Sequence, residues 1–429
     1  MKDYIKQLVS QKKVLILGFG REGKSTFKLL QDVGSYSKLA ISDIKASNFP
    51  ECENVTFISG ENYLDVLDDF DIVFKSPGIV LPKDFCEYSC QITSQTEVFL
   101  SRYKKQVVGI TGTKGKSTTS SLLYHILSHN NLNCLFAGNI GIPVFDIIDD
   151  ICDDTIVILE LSCHQLENIK VSPSVSIFLN LYEEHLDHYG TFQKYANAKK
   201  NIYKNQTSED YLFCNPNILP SKTECASNVV AIDIGDLPPN ISENATQLNG
   251  EHNLFNIAAI YQVCKLFNIS CDDIAKHISS FKPLAHRLEF LGNTNGVDYY
   301  DDSISTSAES TISAIKSVAN VGTVLIGGMD RGINYSPLIN YLLEHELDEV
   351  VFMSDAGKRI FDIVNPIQDK SVGTRFSWFP NLITAVEFAK KATKKGKACL
   401  LSPAAASYGE FKNFEERGDV FRKLVFENK

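Results

Sequence analysis

The sequence predicts an α/β fold built on parallel sheets, and three observations lead there. Short β-branched runs alternate with longer amphipathic stretches along the whole chain. Glycine-rich turns stand where a strand run passes into a helical one. The 429 residues are enough for two to four domains at roughly 100–200 residues each.

The first strand is Val14-Leu15-Ile16-Leu17, followed by the turn Gly18–Gly23 and a helix to about Leu30. Leu39–Ser42 and Ile72–Lys75 read as further strands, and the polar, basic Arg102–Gln106 reads as a linker. A second segment opens with the strand Val107–Thr111, a glycine-rich loop, and a helix from Lys116 to about His129. Thr155–Leu161 and Ser174–Leu179 are apolar strands and Asn253–Phe267 a helix. A boundary is expected near Pro283. Beyond it come strands at Val297–Tyr300, Thr323–Ile326, Glu349–Met353 and Ala398–Leu401, with a closing helix from about Phe414. Strands separated by helices imply parallel pairing, with ligand sites at strand C-terminal ends. The expected domains are residues 1–104, 105–283 and 284–429.

A hydrophobic fraction of 44% and a charged fraction of 22% are those of an ordinary globular chain. The net charge of −10 argues against broad binding to nucleic acid or anionic lipid. The start, MKDYIKQLVSQKK, has no apolar signal core, and no run is long enough for a membrane span. Eleven scattered cysteines, without a CxxC pair, fit a reduced cytoplasmic protein.

Two loops could hold phosphate. Gly18–Ser25 (GFGREGKS) satisfies the strict GxxxxGK[ST] pattern and also GxGxxG, with Asp43 following after a strand. Read alone, it would also suit an NAD-dependent dehydrogenase. The second loop, Thr111-Gly112-Thr113-Lys114-Gly115-Lys116-Ser117-Thr118, has Ile110 where the first glycine should stand. It is the better ATP site on physical grounds. It joins a buried strand to a helix, its glycines let backbone N–H groups surround phosphate, Lys116 can reach the β/γ phosphates, and the Ser117 hydroxyl can ligate Mg²⁺. Either loop could instead be a plain strand–helix turn. Only the second has supporting chemistry downstream: Glu160 ends a strand, and His185 lies in Asn180-Leu181-Tyr182-Glu183-Glu184-His185-Leu186-Asp187-His188, just past another.

At these residues the chain resembles the Mur ligases, in order and over essentially its whole length. The resemblance is carried by Ser76-Pro77-Gly78-Ile79, TGTKGKSTT, AGNIGIP with Asn139, LELSCHQLE, NLYEEHLDHYG, Tyr195-Ala196-Asn197-Ala198-Lys199, GEHNLFNIAA, His286-Arg287-Leu288-Glu289 and LSPAAASYGEFKNFEERG. Cys163, His164 and Glu184 depart from the family pattern. A folylpolyglutamate synthetase-like ligase shares the general fold, but the segments at Ser76–Ile79 and Ser402–Gly418 favour the Mur branch.

The resemblance implies three domains: a Rossmann-like N-terminal domain, a central P-loop ATPase-like sheet, and a Rossmann-like C-terminal domain. It implies an ATP-dependent, ADP-forming ligase that adds glutamate to UDP-muramoyl-alanine through an acyl phosphate, in peptidoglycan synthesis and hence cell-wall biogenesis, cell shape and cell division. A cytoplasmic monomer acting on small molecules, without nucleic acid or membrane, is expected. Gly18, Gly20, Arg21, Asp43, Ser76, Pro77, Gly78 and Asn139 would hold the UDP-linked substrate. Gly112, Thr113, Lys114, Gly115, Lys116, Ser117 and Thr118 would hold ATP, with Asn256 facing adenine, Arg287 on phosphate and Asp302 on ribose. Ser117, Glu160, His185 and Lys199 would hold two Mg²⁺ ions, Lys199 as a carbamate. Lys116, Lys199 and His185 form the expected catalytic set.

The glutamate pocket is expected from Thr306, Arg331, Ser402, Ser407 and Phe411. Its stereochemistry is less plainly written. Where the D-glutamate ligases of the family carry N-D-S-K-A-T-N, this chain has Asp301-Asp302-Ser303-Ile304-Ser305-Thr306-Ser307. Ile304 cannot pair with a carboxylate, so another cation, Arg331, is expected to compensate. A DSIST form also resembles a branch that uses L-glutamate. D-glutamate is the expectation and L-glutamate the alternative.

Overall fold

The computed structural model describes residues 1–45, 52, 54–245, 251–282, 285–367 and 373–427. These residues form an α/β protein with three sheets. The chain divides into two compact units, Met1–Lys282 and Pro283–Lys429. The boundary expected near Pro283 falls on residues 283–284, outside the described ones.

The first unit holds two sheets. In the first, β1 (Lys13–Leu17), β2 (Lys38–Asp43), β3 (Val55–Ser59), β4 (Ile72–Lys75) and β5 (Gln91–Thr93) lie in the order β3-β2-β1-β4-β5, all parallel. The order reverses beside β1, which opens a crevice between the C-terminal ends of β1 and β4. Alternation sends Val14 and Ile16 to one face and Leu15 and Leu17 to the other, each into its own apolar cluster.

The second sheet contains β6 (Val107–Thr111), β7 (Cys134–Gly138), β8 (Ile156–Glu160), β9 (Val175–Phe178), β10 (Tyr211–Cys214) and β11 (Asn228–Ala231). Its order is β11-β10-β9-β6-β8-β7, again all parallel. The central β6 has β8 on one side and β9 on the other, so the loops leaving these three strands share one rim. One face packs on the helices Lys116–His129, Glu251–Leu266 and Cys271–Ser280. The opposite face joins the first sheet: a single apolar cluster runs from Ile5, Val14 and Phe74 through Phe145 and Leu159 to Phe178. Within it the rings of Phe74 and Phe145 meet edge to face at 6.5 Å. The stretch read as a linker ends the helix Gln95–Tyr103 and forms the 3-10 turn Lys104–Gln106.

The second unit has β12 (Glu289–Thr294), β13 (Val297–Asp301), β14 (Val321–Gly327), β15 (Glu349–Met353), β16 (Arg375–Phe379) and β17 (Ala398–Leu401), in the order β12-β13-β17-β14-β15-β16. Among the described residues only β12 pairs antiparallel, with β13, and an irregularity at Phe290/Gly292 marks that pair. Helices cover both faces, giving two apolar clusters. Gly327, at the end of β14, has φ +138°, and a Cβ there would stand 1.9 Å from the Met353 carbonyl oxygen. Glycine is therefore required where β14 turns away from β15.

Candidate active site

Two of the sheet crevices collect expected site residues. In the first sheet, the loop after β1 is closed by its own neighbours. Asp43 Oδ2 accepts the Phe19 N–H at 2.7 Å, and Ser76 Oγ donates to the Gly18 carbonyl at 2.9 Å. Arg21 reaches the carbonyl of Asn139 at 3.2 Å. Gly20, Arg21, Ser76, Pro77, Gly78 and Asn139 line one cavity of about 290 Å³, while Gly18 and Asp43 support its loop.

The two side chains that complete the strict pattern of this loop, Lys24 and Ser25, take other partners. In a phosphate loop the final Ser must face metal and the Lys must face phosphate. Here Ser25 is buried, donating to Asp146 Oδ1 at 2.8 Å and accepting from Gln95 at 3.1 Å. Lys24 is exposed, over the Phe19 ring.

The loop after β6 is built differently. Gly115 caps the following helix with φ +86°, and a Cβ there would meet Asn256 Oδ1 at 2.8 Å. Asn256, expected at adenine, is thus packed beneath the loop glycine. Asn180, from the end of β9, holds the loop from the other side: its backbone carbonyl accepts from Thr113 N, its Oδ1 from Lys114 N at 2.8 Å, and its Nδ2 donates to the Lys114 carbonyl at 3.0 Å. Thr113 Oγ1 lies 2.9 Å from Tyr195 OH and accepts the Tyr182 N–H at 2.9 Å. Lys114 pairs with Glu184 at 2.8 Å.

Lys116 and Lys199 meet in this loop. Lys116 Nζ donates to the carbonyls of Gly112 and Thr113, and Lys199 Nζ donates to Gly112 at 2.8 Å. Lys199 sits on the helix Phe192–Lys200, one turn after Tyr195, so both face the loop, and its ammonium stands 5.1 Å from the Tyr195 ring centroid. It is 1% exposed. Burial, and then the Lys116 charge, push its pKa down to about 7. Burial of a cation without a full counter-charge produces that shift.

Glu160, at the end of β8, is wholly buried. Its Oε1 accepts from Asn139 Nδ2 at 2.8 Å, and its Oε2 lies 3.5 Å from Ser120 Oγ on the helix that leaves the phosphate loop. Asn139 therefore lines the first cavity with one part and holds the Glu160 carboxylate with another. Ser117 is buried at the start of that helix. His185 has φ +56°, and its ring lies 4.9 Å from that of His164.

Several lining residues carry no sequence signal of their own. Glu22, Ser162, His164 and Gln165 face the first cavity. Gln165 donates to Glu22 at 2.8 Å, and burial raises the Glu22 pKa. Burial, with His188 and His185 nearby, lowers His164 to about 3, so it is a neutral imidazole. In the sequence Tyr195 has only its place in the Tyr195–Lys199 motif, and its spacing of four from Lys199 on a helix is the signal that joins them.

In the second unit, Asp302 and Ser402 are buried together. Ser402 Oγ donates to Asp302 Oδ2 at 2.7 Å and also lies 3.0 Å from Thr311 Oγ1. Burial raises Asp302 to about 6. Ser402 is thus fully enclosed rather than facing an open space. Ser407 and Phe411 line a recess of only about 10 Å³ with Gly328, Met329 and Arg417. The buried Arg417 guanidinium donates to the Ser303 and Ala405 carbonyls at 2.8 and 3.1 Å and to Ser303 Oγ at 3.0 Å, tying together the loops after β13 and β17. Arg331 and Thr306 lie outside that recess; Arg331 is exposed, and neighbouring Asp330 is paired with Arg359 at 2.7 Å.

Residues 110–236 match the Mur ligase middle domain. Over 99% of its length the chain is 32% identical to a UDP-N-acetylmuramoylalanine–D-glutamate ligase of Clostridium botulinum, covering 98% of that protein. The chain belongs to the Mur ligase family. A relative of the same name from Clostridium tetani is 31% identical, with 99% of both chains covered. Among solved structures, the MurF ligase of Thermotoga maritima in complex with ADP aligns over 99% of both chains, with a TM-score of 0.57 and 17% identity. The UDP-N-acetylmuramate–alanine ligase MurC of Thermotoga maritima aligns over 96% of this chain and 99% of its own, with a TM-score of 0.54 and 18% identity. These two share the fold. Mur ligases are ATP-dependent, ADP-forming amide ligases, and this chain is one of them. Among the described residues, no helix is long and apolar enough to cross a membrane.

Proposed function

We propose that this enzyme joins glutamate to the alanine carboxyl of UDP-N-acetylmuramoyl-alanine, with D-glutamate as the amino acid. The whole-chain likeness to ligases of that name supports the reading. The observation that carries it is Asn139, which lines the first-sheet cavity and also holds Glu160 beside the phosphate-loop helix. A substrate anchored in that cavity would extend its carboxylate toward bound ATP.

The reaction then has two stages. A carboxylate oxygen attacks the γ-phosphorus and ADP leaves, forming an acyl phosphate. The neutral amine of glutamate attacks the acyl carbon, loses a proton, and expels phosphate. Both stages bring anions together, so positioned positive charge is the main requirement. Lys116 supplies it at the transferring phosphoryl group. The N–H groups of Gly115, Lys116 and Ser117, at the start of the helix and not bonded to Asn180, hold the phosphates. Arg21 and the Gly20 N–H, at the turn that Gly18 and Asp43 support, hold the substrate diphosphate.

Magnesium, when bound, would neutralise the phosphate oxygens. Ser117 and Glu160 are hard oxygen donors of the type that ion takes. Lys199 as an ammonium is not. Its pKa of about 7 leaves a large neutral fraction at physiological pH, and a neutral amine can add CO₂, releasing a proton and leaving a carbamate. The carbamate would present oxygen donors beside Lys116. We therefore assign Lys199 as the carbamylated residue, and His185 as a ligand at a second ion. The proposed domains are residues 1–104 for the UDP-substrate, 105–283 for ATP and metal, and 284–429 for glutamate and nucleotide, the last with Arg287 and Asp302 at nucleotide and Thr306, Arg331, Ser402, Ser407 and Phe411 at glutamate. The site of action is the cytoplasm, and the acting species a monomer.

One observation favours a second reading, L-glutamate: Ile304, with its N–H bonded to the His286 carbonyl at 3.1 Å, stands where the D-glutamate enzymes carry a lysine. ADP release with UDP-N-acetylmuramoyl-L-alanine, ATP, Mg²⁺ and each enantiomer tests both. No release with either overturns the proposal, and an L-glutamate preference of about tenfold in kcat/KM, or 1.4 kcal/mol, reverses the stereochemical choice. Arg331→Ala should raise KM for glutamate far more than for ATP; an unchanged glutamate KM places the compensating cation elsewhere.

A further inference from the structure

Away from the phosphate loop, at the far end of the helix that leaves it, three histidines gather from two helices. His125 and His129 lie one turn apart on Lys116–His129, and His277 comes from Cys271–Ser280. Their ring centroids are 4.1 Å apart for His125–His129, 5.3 Å for His129–His277 and 6.1 Å for His125–His277. Three imidazoles on one tetrahedral ion, each nitrogen about 2.0–2.1 Å from it, would place their centroids about 5 Å apart. The observed spacings straddle that value.

Hydrogen bonds fix which nitrogens are available. His129 Nδ1 lies 2.7 Å from the His125 carbonyl, which can only accept, so Nδ1 carries the proton and Nε2 the lone pair. Ser280 Oγ donates to the His277 carbonyl at 3.1 Å, so it accepts from His125 Nε2 at 3.0 Å, leaving the lone pair of His125 on Nδ1. A carbonyl or hydroxyl on the far ring nitrogen is the support that metal-bound histidines usually have. Burial and mutual proximity also lower the pKa of His125 and His277, which keeps them in the neutral, ligating form at neutral pH.

We propose that His125, His129 and His277 bind one divalent transition-metal ion of the zinc type. Nitrogen-only ligation excludes magnesium, whose preference is for oxygen. The donor nitrogens of these three rings do not all lie within 4.8 Å of one another as they stand, so binding requires the rings to pivot about the His125–Ser280 and His129–His125 hydrogen bonds while keeping them. Among the described residues the one trio whose donor atoms already lie within 4.8 Å of each other is His286, Glu289 and Asp301. That trio is committed to the fold: His286 Nδ1 meets Asp301 at 2.7 Å, and Glu289 accepts from His286 N and Arg422. The site at His125 does not depend on the ligase reaction.

The test is a zinc titration of the full chain against a chromophoric chelator, with excess Mg²⁺ present. One zinc should bind, and His129→Ala and His277→Gln should each weaken it about tenfold or more. His129 is exposed, so its variant should melt like the wild type in the absence of zinc. His188→Ala, in the separate group of His164, His185 and His188, should leave that affinity unchanged. Absence of zinc binding, wild-type affinity in both the His129 and His277 variants, or a loss that follows His188→Ala instead would overturn the proposal.

Discussion

Lys116 and Lys199 converge on one atom: each places its ammonium nitrogen 2.8 Å from the Gly112 carbonyl oxygen. The carbonyl's two lone pairs can accept both bonds, but a neutral oxygen balances neither charge; burial and the neighbouring Lys116 charge therefore disfavour the protonated form of Lys199. In the proposed reaction Lys116 would exchange its two carbonyls for a phosphate.

Lys116→Ala should lower ADP formation at least about a hundredfold, on the order of 3 kcal/mol of transition-state stabilisation. The fold should survive, because Lys199 still serves the Gly112 carbonyl. Lys24→Ala in the first loop should retain turnover at saturating UDP-substrate. Steady-state ADP release on both variants checks the order of the two loops; the opposite pattern would reverse it.

Lys199 gives a dependence on carbon dioxide and on pH. Its pKa falls from 10.5 to about 7 on folding. The folded chain therefore binds fewer protons than the unfolded one between those values, and the penalty for burying this amine is complete below 7 and relieved as pH rises toward 10.5. Activity in CO₂-depleted buffer should drop and return with bicarbonate, more readily above pH 7 than below. Lys199→Ala should be nearly inactive and partly rescued by short carboxylic acids; full activity of that variant would remove the carbamate role.

Asp302 has the opposite sign. Its pKa is raised from 3.8 to about 6, so the folded chain holds the proton longer, and stability falls as pH climbs through that window. Asp302→Asn should stabilise the fold at about pH 7.5 by up to roughly 3 kcal/mol of relieved burial cost, seen as a higher melting temperature. The gain should shrink toward about pH 5. Nucleotide affinity should fall in the same variant if the carboxylate meets ribose. Thermal melts across pH and ADP titration read the two effects separately.

Arg417→Lys should destabilise by about 2–4 kcal/mol, because a single ammonium cannot replace three guanidinium donors in a buried site. Since those donors hold the loops bearing Ser303 and Ala405, glutamate KM should rise as well. Denaturant unfolding and amino-acid kinetics check both; unchanged stability would mean the buried fork contributes little.

Interior strands were legible in the sequence because they are continuous apolar runs, as at Val14–Leu17 and Glu349–Met353. The unmarked ones are β10 and the edge strands β3, β5, β7, β11, β12 and β16, with part-exposed patterns such as Asn228–Ala231. The phosphate loop announced Lys116 and Ser117 by local pattern. Lys199 lies far along the chain and was found through the family motif alone. Asn180, Tyr182 and Gln165 fall inside the motifs, but their partners, the Lys114 and Thr113 loop and Glu22, lie far away in the chain, and no local pattern encodes those contacts.

The apolar cluster shared by the first two sheets also sets an order of events during synthesis. The first sheet has all its strands once Thr93 has been made, yet Val14, Ile16 and Phe74 share their cluster with Phe145, Leu159 and Phe178, which do not yet exist. At about 5–20 residues per second, that greasy face is open for on the order of ten seconds. During this interval the nascent chain is a natural client for a chaperone. A gene cut after residue 104 would make the interval permanent, and its product should collect in inclusion bodies, whereas one cut after Lys282 would keep both halves of the cluster.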